Sequence, residues 1–148
     1  MEKEYKPAPT QFSAFVELTK PRITSLVVIT SAFGYYLGAR GFDSIFTLVA
    51  LLCGTALVSA GSGAMNHYME RETDKLMIRT RNRPLPAGIL KEETVFWFGF
   101  LLIFLGVFVL LFLTNLLTAF LALLTAFLYI FIYTPLKKIT WLNTSIGA

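Results

Sequence analysis

The sequence is nearly without thiol or imidazole chemistry, having one cysteine, Cys53, and one histidine, His67, among 148 residues. A single thiol excludes an internal disulfide framework, and the pair together excludes a His/Cys cluster for zinc or iron. Charge is also scarce. Asp, Glu, Lys and Arg make up 15% of the chain, too little to clothe a soluble domain. In four runs they are missing altogether, and so is histidine: Ile23 to Ala39, Ile45 to Met65, Val95 to Leu113 and Leu116 to Tyr133. That absence argues against a channel or transporter, whose pathways are marked by ionisable groups within the membrane.

What the chain has instead is apolar surface, with 55% hydrophobic residues. Each uncharged run is 17 to 21 residues long, matching the roughly 20 that an α-helix needs to cross a ~30 Å hydrocarbon core. The expectation is an all-α membrane protein with four transmembrane helices, at about 23–39, 45–65, 95–113 and 116–133. Residues 1–22 form a polar N-terminal arm carrying Pro7, Pro9 and Pro21. It resembles neither a removable signal peptide nor an acid-poor mitochondrial presequence, which points to a bacterial cytoplasmic (inner) membrane.

Twelve of the 13 basic residues fall on one side of the four runs. Lys3, Lys6, Lys20 and Arg22 precede the first; Arg71, Lys75, Arg79, Arg81, Arg83 and Lys91 follow the second; Lys137 and Lys138 follow the fourth. Only Arg40 lies opposite. Lys and Arg near membrane ends stay cytoplasmic, so the N-terminus and residues 66–94 are expected inside. The net charge of +4 then reads as a basic face against anionic lipid, with no nucleic-acid partner. Connections of a few residues at 40–44 and 114–115 predict two antiparallel hairpins, whereas the long cytoplasmic connection 66–94 is of the kind that carries function. Gly34 and Gly38, and Ser59, Gly61 and Gly63, are expected to seat helix against helix.

The chemistry concentrates in that long connection. Asn66, Glu70 and Asp74 recur every four residues, so a helix continuing past Met65 would put all three oxygen donors on one face. Two carboxylates and an amide suit Mg²⁺, which takes one or two carboxylates and completes its shell with water and phosphate. His67 lies about 100° round the axis and is expected to face lipid headgroups or a neighbouring helix. Arg79 and Arg83 follow, again four apart, before Pro84, Pro86 and Gly88 end the element. Guanidinium groups bind phosphate through paired hydrogen bonds. The alternative is a solvated mixed-charge helix, but Glu70 with Asp74, and Arg71 with Lys75, are like-charge pairs that weaken a helix. A cation among the acids and an anion among the bases would relieve both.

The pattern Asn66-x-x-x-Glu70-x-x-x-Asp74 followed by "RTRNRPLPAG" resembles the first aspartate-rich motif of the intramembrane prenyltransferases, the superfamily typified by 4-hydroxybenzoate polyprenyltransferase. Within it, "LTKPRIT" at 18–24, "YTPLKKITWLNTSIGA" at 133–148 and Glu rather than Asp at position 70 are most similar to the protohaem IX farnesyltransferase (haem O synthase) family. The resemblance implies a bundle of about nine spans around a cavity open to lipid. It implies farnesyl diphosphate and haem b (protohaem IX) as substrates, with haem O, needed for haem–copper oxidase assembly, as product. Asn66, Glu70 and Asp74 would be the catalytic, Mg²⁺-holding residues. Arg79 and Arg83, with Lys137, Lys20 and Arg22, would contact diphosphate, and the Tyr133 ring would shield the allylic cation. A 4-hydroxybenzoate or naphthoate acceptor from a quinone pathway is the enzymatic alternative; a non-catalytic membrane remnant or half-subunit is the other. The family's second aspartate-rich motif is not among these 148 residues. The expectation is that the chain alone does not turn over, and that its partners are a C-terminal half or haem A synthase.

Overall fold

Oxygen-bearing side chains set where three of the helices begin. Thr10 caps α1 (Gln11–Leu18), its hydroxyl accepting from the Ser13 backbone N–H at 3.3 Å. Ser44 does the same for α3 (Ile45–Leu76) through Thr47, and Asn115 for α5 (Leu116–Phe127) through Thr118 at 2.8 Å. The helix α2 (Pro21–Gly38) opens on proline, whose fixed φ suits a first turn, after Lys20 in a left-handed conformation at φ 47°. Glu92 and Glu93 occupy the first turn of α4 (Glu92–Leu113), where the helix dipole favours negative charge. From Phe127 the chain passes through a π-helical turn, Leu128–Tyr133, into the short α6 (Thr134–Leu136).

This computed structural model describes residues 10–39 and 44–136, among which all regular structure is helical. Arg40 and its short connection lie outside the described residues, as does Lys137. Three helices are long and apolar enough to cross a membrane: Ile45–Leu76, Glu92–Leu113 and Leu116–Leu136. The first expected span, α2, is helical but falls short of them, because Pro21, Arg22, two tyrosines and several Ser and Thr residues dilute its hydrophobic run. The long connection is also shorter than 66–94, since α3 continues to Leu76 and α4 begins at Glu92. Part of the polar N-terminal arm is the helix α1, which buries Ala14 and Leu18 against Leu85, Leu90 and Val95.

The closest packing is between α3 and α4, where glycines let the backbones approach. A Cβ at Gly61 would stand 2.7 Å from the Gly99 carbonyl oxygen, and one at Gly106 would stand 2.8 Å from that of Gly54. Helices surrounded by lipid gain little from hydrophobic burial against one another, so such intimate contact is what holds them. Of the small residues singled out above, Gly61 belongs to this seam, and a Cβ at Gly63 would stand 2.8 Å from the Leu18 carbonyl oxygen. Gly34 and Gly38 face open space within 4 Å, and α2 buries none of its residues among the described ones. A second seam, with Val58, Leu110, Ala119 and Ala126 at its centre, brings α5 against the α3–α4 pair.

Candidate functional site

The helix α3 carries the apolar run and the polar face on one rod. Because it does not break at Met65, the four-residue spacing survives, and Asn66, Glu70 and Asp74 are all buried, at 3%, 5% and 3% exposure. Two carboxylates so withdrawn from water require countercharge. Arg83 supplies it: Nη1 stands 2.7 Å from Asp74 Oδ2 and 3.6 Å from Glu70 Oε2.

Local hydrogen bonds bring Arg83 there. Thr80 Oγ1 donates to the Asp74 carbonyl at 3.1 Å, closing the end of α3. The Arg81 and Arg83 backbone N–H groups donate to the carbonyls of Met77 and Thr80, so the chain folds back. Pro84, Leu85 and Leu90 are buried and anchor the returning strand of loop, and Gly88 at φ 72° provides its tightest turn. Arg79 and Arg83 are therefore not two positions on one helix. Arg79 lies exposed in the turn, without an ion pair to a carboxylate among the described residues, while Arg83 points back at the acids.

Arg71 and Lys75, the like-charged bases on α3, are also matched within the chain. Arg71 Nε is 2.9 Å from Glu92 Oε2 and its guanidinium lies 4.5 Å from the Tyr68 ring centre. Lys75 Nζ meets Glu72 at 3.0 Å. The like-charge pairs thus do not by themselves demand an external ion. Arg83 is the cation among the acids, and Glu72 and Glu92 are the anions among the bases.

Lys20 reaches the same place from the start of α2. Its Nζ donates to Asn66 Oδ1 and, at 3.2 Å, to the Tyr129 hydroxyl. The other end of the Asn66 amide, Nδ2, donates to Thr134 Oγ1 at 3.0 Å. Tyr129 and Thr134 sit 63 and 68 positions beyond Asn66, the first within the π-helical turn and the second directly after it, where no four-residue periodicity announces them, so sequence reading misses both. Tyr133 is half-buried and stacks on Tyr129 with ring centres 5.6 Å apart. Arg22, two residues beyond Lys20, is exposed. His67 is buried, not facing lipid headgroups, and its Nδ1 has no hydrogen-bond partner among the described residues.

Lys20 and Tyr129 also line a cavity of about 420 Å³ between α2, α3 and α5, with walls such as Val27, Leu51, Val58 and Leu121. Thr24 and Ser59 join α2 to α3 across it by a 3.1 Å hydroxyl contact. A mostly apolar cavity is thus joined to the polar cluster through Lys20, which lines the one and bonds Asn66 of the other. Among the described residues there is no group of three or more His, Cys, Asp or Glu side chains placed to hold a metal on their own. The donors that are present, Glu70, Asp74 and the Asn66 oxygen, fit a hard divalent cation that draws its other ligands from water or phosphate.

The family model described as the UbiA prenyltransferase family matches residues 27–148. A protoheme IX farnesyltransferase of Solibacter usitatus is 38% identical over 143 residues, covering 90% of this chain and 49% of that protein. One of Cytophaga hutchinsonii is 38% identical over 139 residues, covering 94% and 49%. The protoheme IX farnesyltransferase 1 of Pyrobaculum aerophilum is 39% identical over 132 residues, covering 88% and 47%. The chain spans about half the length of these curated relatives. No solved structure matches it.

Proposed function

The chain belongs to the UbiA prenyltransferase family, and from that premise we propose that it forms the diphosphate-ionising face of a protohaem IX farnesyltransferase, which makes haem O from haem b and farnesyl diphosphate. The observation that carries this reading is a cluster of two buried carboxylates, the Asn66 amide and Arg83, joined to an apolar cavity through Lys20, which lines the cavity and bonds Asn66. The farnesyl tail would occupy the cavity, and its diphosphate the polar end. The names of the relatives support haem as the acceptor over a quinone precursor.

In this reading Asn66, Glu70 and Asp74 hold Mg²⁺, which when bound offsets diphosphate charge and makes it a better leaving group. Arg83 exchanges its carboxylate partners for phosphate oxygens, Lys20 adds a second cation, and Arg79, exposed nearby, meets the substrate from solvent. The C–O bond of the allylic diphosphate breaks with its electron pair leaving on oxygen. The π electrons of a haem vinyl group form the new C–C bond. Water adds at the remaining carbon and loses a proton, giving the hydroxyethylfarnesyl substituent. Preorganised cations stabilise the departing charge, and the Tyr133 and Tyr129 rings face the allylic cation.

The membrane arrangement belongs to the same proposal. The helix α2 crosses with the three longer helices, as four of about nine spans, in a bacterial inner membrane. The N-terminus and the Asn66 end of α3 are cytoplasmic, where farnesyl diphosphate is available, and Arg22 lies at that level. Haem A synthase is the partner that would consume haem O. The test is to express the native protein in cells lacking their own haem O synthase and to analyse extracted haems by chromatography and mass spectrometry. Haem O is expected. A prenylated benzoate or naphthoate in its place would overturn the acceptor assignment.

A further inference from the structure

We propose that Thr134 is a positioning residue that fixes which end of the Asn66 amide faces the cation; the inference rests on the reading of Asn66, Glu70 and Asp74 as a metal face. A carboxylate presents oxygen whichever way it turns. An amide does not, since one end accepts and the other only donates. An asparagine serving among metal ligands must therefore be held the right way round.

The hydrogen bonds around Asn66 impose one orientation from both sides. Thr134 is 1% exposed, and its single hydroxyl proton goes to the Tyr129 carbonyl at 2.8 Å. Only lone pairs remain for Asn66, so Nδ2 must be the group that faces Thr134. Lys20 Nζ, which can only donate, stands at the opposite end and requires Oδ1 there. The two partners come from different helices and agree.

The π-helical turn is what supplies the Thr134 side of this arrangement. The Thr134 backbone N–H reaches the carbonyl of Tyr129, five residues back, and the side-chain hydroxyl bonds the same oxygen. Backbone and side chain together fix where the lone pair points. Without that lone pair nothing on this side prevents the amide from turning over and presenting NH₂ to a cation, which it cannot coordinate.

The test uses the native protein in detergent, with Mn²⁺ as probe and farnesyl S-thiolodiphosphate as an unreactive substrate, and Mn²⁺ binding read by electron paramagnetic resonance. Thr134→Val should weaken Mn²⁺ binding about tenfold, at the low end of what outer-shell partners of metal ligands contribute, and Thr134→Ser should restore it. In an Asn66→Asp background, where both ends of the side chain are oxygen, Thr134→Val should cost nothing further. Wild-type Mn²⁺ binding by Thr134→Val would overturn the proposal, and so would an undiminished loss in the Asn66→Asp background, which would mark a packing role. If Thr134→Val does not fold, Thr134→Ala against Thr134→Ser makes the same comparison. Asp74→Asn separates the two levels. If it leaves Mn²⁺ binding intact, the metal face is wrong; if it abolishes binding while Thr134→Val does not, the role of Thr134 alone is rejected.

Discussion

The two parts of α3 are held by different physics. From Ile45 to Met65 the helix is fixed by shape, with Gly54 and Gly61 set against Gly106 and Gly99 so closely that a methyl group would meet backbone or a packed side chain. From Asn66 to Leu76 it is fixed by directed polar contacts from three separate segments: Lys20 before α2, Thr134 after the π-helical turn, and Arg83 in the returning loop. Shape tolerates no added volume but is indifferent to charge. The polar part tolerates small changes of shape but not the loss of a partner.

The comparison breaks most visibly at Asp74. Asp74→Asn should lower haem O formation by at least about a hundredfold, the scale of removing one preorganised electrostatic group, while membrane insertion, followed by protease protection, is unchanged. A wild-type rate would sink the metal reading. Arg83→Gln comes next. It leaves two buried carboxylates without their guanidinium and should cost roughly 3–5 kcal/mol, read as a lower unfolding midpoint in detergent, with Mg²⁺ or Mn²⁺ recovering more stability than in the wild type. Equal recovery in both proteins would mean that Arg83 and the cation do not share a place. In the apolar part, Gly61→Ala drives a methyl group against the Gly99 and Ile103 backbone and should cost roughly 1–3 kcal/mol, the range of overpacking penalties, with little change in the KM for farnesyl diphosphate. The smallest effect on stability belongs to Arg79→Gln, within about 0.5 kcal/mol, with a several-fold rise in that KM. A stability loss matching that of Arg83→Gln would show Arg79 to be a structural partner too.

The sequence makes α3 legible because two periodicities meet on it: an uncharged run of membrane length, and oxygen donors every four residues that need only an unbroken helix to share a face. It misleads about the charges. Repulsion between Glu70 and Asp74 correctly signals a missing cation, but the cation in the structure is Arg83, nine residues on, brought back by turns that leave no periodic trace. Tyr129 and Thr134 stay hidden for a related reason, since a π-helical turn shifts the register that helical reading relies on. Five of the eight residues of α1 are apolar, but two turns are too short a run to announce a helix within an arm bounded by charge and proline. Gly34 and Gly38, a packing motif by spacing, meet no neighbour within 4 Å among the described residues.

The unbroken length of α3 ties the site to the thickness of the bilayer around it. At 32 residues the helix is about 48 Å long, well beyond a ~30 Å hydrocarbon layer. The eleven residues after Met65 make a stiff lever of roughly 16 Å. Helices respond to a thinner or thicker bilayer partly by tilting, and a change of about 10° at the seam would carry the tip of that lever by roughly 3 Å. That displacement is as large as the 2.7 Å Arg83–Asp74 contact itself. If the proposed activity holds, acyl-chain length should therefore act on this site as a mechanical input, tuning the rate in reconstituted vesicles without any lipid touching the reacting atoms.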